Sequence, residues 1–201
     1  MYDYYGVYAS CRDAAWRCQI DFDMRKLPIK LISAAQRAGI RVKRNSEVGE
    51  LRRGEAGASI YTDGQWIIVY DDRLPACEAR MVLAHELGHI LLGHAYKYAD
   101  YRFDTGNKKL KSEREADMFA IRLLAPACIL HELGITKAAD IALICDIPYS
   151  VAAERAKRMM VLEERSRFYQ STLECKVRDK FSEFIENTRN NINGHSFTTH
   201  E

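Results

Sequence analysis

This chain has no long apolar run: the one at its centre, Ile90 to Leu92, falls far short of a bilayer span. It also lacks an excess of either charge. Thirty lysines and arginines stand against 28 aspartates and glutamates, leaving a net charge of +2. That balance gives no field for gathering nucleic acid or anionic lipid. None of the six cysteines (Cys11, Cys18, Cys77, Cys128, Cys145 and Cys175) belongs to a Cys-x-x-Cys pair. A zinc ribbon or dithiol redox motif is therefore not expected. The opening residues, Tyr2-Asp3-Tyr4-Tyr5, stand where a signal peptide would need a basic segment and an apolar run. Repeats and low-complexity tracts are missing too. Together these absences lead to the expectation of a cytoplasmic protein with reduced thiols and no membrane partner.

What remains is a chain of 201 residues, 47% hydrophobic, enough for one compact domain with an appendage or for two small domains. Residues 8–24 read as a helix, with Ala14, Ala15, Cys18 and Phe22 at helical spacing. Pro28 suits the first turn of a second helix reaching about Ala38, which Gly39 would end. Residues 40–42 look like a short strand. Residues 58–61 and 66–70 flank Asp63-Gly64, a favoured hairpin turn, and the second strand is apolar enough for burial on both faces. A strong helix follows over about 77–92, ended by Gly93. Residues 96–111 read as an exposed loop, and 112–124 as a helix that stops before Pro126. Helices are then expected over 137–145, 149–170 and 173–188, with a disordered polar tail from Asn190. Helices, a small and mostly antiparallel sheet, then helices again make an α+β fold.

The chemistry concentrates in His85-Glu86-Leu87-Gly88-His89. Histidines four apart on a helix face the same way, so one tetrahedral ion can take both. Glu86, one position after the first ligand, can act on water at the metal without ligating it, as a catalytic base. A chance match in a chain this long is on the order of one in a hundred or less. Ala84, Leu87 and Leu91 give the helix an apolar stripe, and Gly88, a poor helix former, suggests close approach by another element.

A catalytic zinc needs a third protein ligand. His94 does not fit the metzincin spacing, because Leu92 and Ala95 stand where Gly and His are required. It is read as packing against the helix end. Glu113 and Asp117, four apart beside Ala116 and Ala120, share a face of the next helix. Glu113 can close the site, and Asp117 can accept the free N–H of a ligand histidine. Glu115 is read as a solvated residue near the helix start.

These residues carry a resemblance. Residues 84–94 (Ala-His-Glu-Leu-Gly-His-Ile-Leu-Leu-Gly-His) and the run Glu113-x-Glu115-Ala116-Asp117-x-Phe119-Ala120-x-x-Leu123-Leu124-Ala125-Pro126 are similar to the ImmA/IrrE family of metallo-endopeptidases. With strand 66–70, the likeness covers roughly 25–160. The chain departs from the family at Ala125, where Met is frequent, and at Asp117, where Asn is frequent. The resemblance implies a zincin-like metallopeptidase domain over 1–130, a helix-turn-helix-like segment over 131–170, and a C-terminal helix and tail over 171–201. It implies a Zn2+ endopeptidase whose substrate is a partner protein, a helix-turn-helix repressor of a prophage, mobile element or stress response. An edge strand beside the active helix, here 58–61, would bind the substrate backbone. Tyr61, Tyr70, Tyr96, Tyr98, Tyr101 and His131 all stand open as the second oxyanion donor. Arg155, Lys157 and Arg158 could contact phosphates, but Glu154, Glu163 and Glu164 dilute them, so direct DNA binding is not expected. The competing reading is a DNA- or repressor-binding regulator with a non-catalytic zinc site.

Overall fold

A computed structural model describes the backbone over residues 2–94 and 107–196, and the side chains over 11–94 and 111–191. The chain opens with helix α1 (Tyr2–Asp21), then α2 (Leu31–Arg37), strand β1 (Arg41–Arg44) and a single turn, α3 (Asn45–Val48). The hairpin β2 (Gly57–Thr62) and β3 (Gln65–Tyr70) follows, then α4 (Ala76–Leu91) and α5 (Asn107–Leu124). The remainder is helical: α6 (Ala127–Glu132), α7 (Ala138–Cys145), α8 (Tyr149–Glu164), α9 (Thr172–Lys180) and α10 (Ser182–Ser196).

The sheet has three strands in the order β1-β3-β2. Asp63 and Gly64 both take positive φ (50° and 74°), the left-handed pair that lets β2 return antiparallel to β3. The sheet is mixed rather than mostly antiparallel, because β1 lies parallel to β3 on its other side, with Val42 opposite Ile68. The reason is connectivity: after β1 the chain passes through α3 and a loop before the hairpin begins, so β1 and β2 end on opposite edges. The central position of β3 explains its apolar run, and Ile68 and Val69 are buried.

Several boundaries differ from expectation. Pro28 lies ahead of α2 in an irregular segment, not in its first turn. α5 begins at Asn107, inside the stretch read as loop, and residues 95–106 lie outside the described residues. α8 ends at Glu164, where Ser166 and then Tyr169 turn to positive φ. The single helix expected over 173–188 is two, divided at Phe181, and α10 carries helical backbone past Asn190 to Ser196. The short helices α3 and α6 had no periodic signal of their own.

α4 rests on β2 and β3 and packs against α5, which in turn packs on α1. α5 is deeply set along one face, with Ala116, Phe119, Ala120, Leu123 and Leu124 fully buried. Its end is stitched to distant parts of the chain. Gln19 of α1 donates to the Leu123 carbonyl at 2.9 Å, and the buried Arg155 of α8 donates to the Ala125 carbonyl at 2.7 Å. Carbonyls in a helix's last turn have no intrahelical partner, so both contacts answer a need the helix creates.

Candidate metal centre

The α4–α5 crossing builds the site. Gly88 faces Ala116: a Cβ on Gly88 would lie 3.3 Å from the Ala116 Cα and 3.0 Å from the Phe119 ring. Two side-chain-poor positions thus let the helices meet almost backbone to backbone, the close approach that Gly88 suggested. His85 and His89, one turn apart on α4, point their Nε2 atoms at the same place, 2.9 Å from each other. From α5, Glu113 brings one carboxylate oxygen to 3.2 Å of His85 Nε2 and the other to 3.7 Å of His89 Nε2. Taking one atom from each residue, all three donors lie within 4.8 Å of one another.

That spacing suits a small ion. Donors about 2.0–2.2 Å from a tetrahedral zinc sit about 3.3–3.6 Å apart, close to the 2.9, 3.2 and 3.7 Å found here. Two imidazoles and a carboxylate form a nitrogen and oxygen set that zinc accepts, and three protein donors leave a position open.

Charge is distributed unevenly over the pair. Burial disfavours a charged His85, but its hydrogen bonds to Asp117 (2.8 Å from Nδ1) and Glu113 outweigh that and push its pKa up to about 10. Burial and the neighbouring His85 charge push His89 down to about 3. Without an ion, His85 therefore holds the proton and His89 is neutral. With Asp117 accepting at Nδ1, the other nitrogen of His85 faces the metal position.

Glu86 projects from α4 toward β2. Burial raises its pKa, opposed by the Ser59 hydroxyl and by His85. Ser59 donates to the Glu86 carboxylate at 2.7 Å. Gly57, two residues earlier on the same strand face, leaves room for this: a Cβ there would collide with Val82 and lie 3.1 Å from Glu86 Cγ.

The family model for the IrrE N-terminal-like peptidase domain matches residues 35–175. The chain belongs to the ImmA/IrrE family of metallopeptidases. Curated proteins give no significant match.

For an ImmA/IrrE protein the matched span has an informative limit. It takes in β1 to α8 and therefore the whole α4–α5 crossing. Three residues here escaped the sequence reading: His94, Glu115 and Ser59. His94, assigned to packing, is 2% exposed and lies 3.0 Å from His89, Nδ1 to Nδ1. Its other nitrogen is 2.8 Å from Glu115, which is not a solvated surface acid. The available signal was Gly93, whose φ of 71° folds the chain back at the end of α4 and returns His94 to the helix. Ser59 gave no signal in the sequence, since a serine in a half-buried strand is ordinary.

The oxyanion candidates scatter. Tyr61 shares the Ser59 face of β2 and sets its ring 5.0 Å from Trp66. Tyr70 bonds Arg44. His131 stacks on Phe168 at 3.9 Å and bonds Glu163. Tyr96, Tyr98 and Tyr101 lie outside the described residues. In the α7–α8 pair, Arg155 is buried and Lys157 pairs with Glu154 at 2.6 Å.

Proposed function

We propose that this protein is a zinc endopeptidase, with His85, His89 and Glu113 as metal ligands, Glu86 as catalytic base, and Asp117 orienting His85. The convergence of those three donors beside a buried carboxylate carries the reading. Zinc bound there would polarise a scissile carbonyl and lower the pKa of water to about 7. Glu86 would take the water's proton and return it to the leaving amine. Its raised pKa suits the second task, and the hydrogen bond from the Ser59 hydroxyl favours the ionised form that the first requires. β2 lies at the sheet edge beside α4, so its outer side would accept an extended peptide as an added strand.

The substrate in this proposal is a helix-turn-helix repressor of a prophage, mobile element or stress response, met in the cytoplasm. The division of labour follows the sequence: 1–130 as the zincin-like peptidase unit, 131–170 as a helix-turn-helix-like segment, and 171–201 as a terminal helix and tail. α7 and α8, joined by Asp146-Ile147-Pro148, support the middle assignment. Arg155 is committed to the Ala125 carbonyl and Lys157 to Glu154, which favours a protein-docking role over DNA contact. No described helix is long and apolar enough to cross a membrane.

The test is to incubate purified protein with the helix-turn-helix repressor encoded nearest its gene, beside a Glu86→Gln variant. Cleavage by the wild type alone, abolished by chelator, supports the proposal. A protein that takes up no zinc overturns it.

A further inference from the structure

His94 and Glu115 have no part in the chemistry just described, yet they continue the site on its far side. His94 Nε2 is 2.8 Å from Glu115 Oε2, and His94 Nδ1 is 3.0 Å from His89 Nδ1. An ionised carboxylate only accepts, so the nitrogen of His94 facing Glu115 must carry hydrogen. With His94 neutral, that is its single N–H, and His94 Nδ1 offers a lone pair to His89 Nδ1. Across that contact His89 Nδ1 must then donate, which leaves the lone pair of His89 on Nε2. That atom is the one grouped with His85 and Glu113.

We propose that Glu115, acting through His94, sets the tautomer and orientation of His89 and so readies Nε2 for zinc. The inference rests on the zinc reading and extends it to two positioning residues. It also explains how α5 serves both ligands. Glu115 and Asp117 project from opposite flanks of the helix, with Ala116 between them against Gly88. Asp117 reaches His85 directly, whereas His89 lies on the flank where His94 must bridge the gap.

Two measurements on the full-length protein test this. The first is long-range proton–nitrogen NMR of the histidine rings in zinc-loaded protein. It should find hydrogen on Nε2 of His94 and on Nδ1 of His89; hydrogen on Nδ1 of His94 overturns the proposal. The second is zinc affinity by chelator competition, with thermal unfolding of the metal-free protein as the check on folding. Glu115→Gln, nearly isosteric, and His94→Phe should each weaken zinc about 10–100-fold, while Lys111→Ala, exposed on the same helix, should not. If folded Glu115→Gln binds zinc as tightly as the wild type, the chain to His89 is inert and the proposal fails while the zinc reading stands. If the wild type takes up no zinc, both fall.

Discussion

Gly88→Ala sets two effects against each other, and the structure decides between them. Replacing glycine by alanine inside a helix ordinarily stabilises by about 1 kcal/mol. Here the new methyl would sit 3.0 Å from Phe119 Cδ1, 3.3 Å from Ala116 Cα and 3.4 Å from the Ala116 carbonyl oxygen. Phe119 is fully buried, and the Ala116 contacts are backbone, so neither neighbour can give way alone. Overpacking of this kind costs about 1–3 kcal/mol, which leaves a net loss of about 1 kcal/mol after the helix gain. The relief available is separation of α4 from α5, and that pulls Glu113 away from the histidines. Urea unfolding of the metal-free protein should show the stability loss, and chelator competition a weaker zinc site. Stability gained by about 1 kcal/mol, with zinc affinity unchanged, would refute the claim that this contact sets the helix spacing.

Other outcomes follow from the same contacts. Ser59→Ala removes the donor to Glu86 and should lower turnover on a cleaved partner about 10-fold or more, a hydrogen bond to a charged group being worth about 1.5–3 kcal/mol; zinc affinity should not change, and unchanged turnover would dismiss Ser59. Asp117→Ala, which leaves His85 Nδ1 without this acceptor, should weaken zinc about 10–100-fold by chelator competition, and equal affinity would remove Asp117 from the site. Since the metal-free His85 has its pKa pushed up to about 10, zinc must displace its proton at neutral pH. The bound state holds fewer protons than the free state, so affinity should rise about tenfold per pH unit from neutrality and level off above the His85 pKa. Competition titrations across that range that show a flat profile would contradict the assignment.

The parts of the fold legible in the sequence are those with local causes. Asp63-Gly64 specified its hairpin, Gly93 ended α4, and helical spacing brought His85, Glu86 and His89 to one site. The same face arithmetic put Glu113 and Asp117 on one side of the next helix, where both come within reach of His85. That arithmetic also hid Glu115, which lies nearly opposite Glu113 around the helix. It reaches the site because Gly88 and Ala116 bring the helices so close that α5 is gripped on both flanks. The parallel pairing of β1 has no local signature, since register between strands some two dozen residues apart is decided by tertiary packing. Ser59 was invisible for the same reason. Its role comes from α4 crossing above β2.

The stitches at the end of α5 carry a consequence in time. The carbonyls there are answered by Gln19, far earlier in the chain, and by Arg155, far later. On a ribosome the histidines of α4 and the carboxylates of α5 emerge well before the guanidinium that secures the helix they depend on. The bond from Arg155 to the Ala125 carbonyl can form only once α8 has left the exit tunnel and docked. A nascent chain therefore carries His85, His89 and Glu113 before that bond can form. On the proposed reading of the site, metal uptake would wait until α8 is in place.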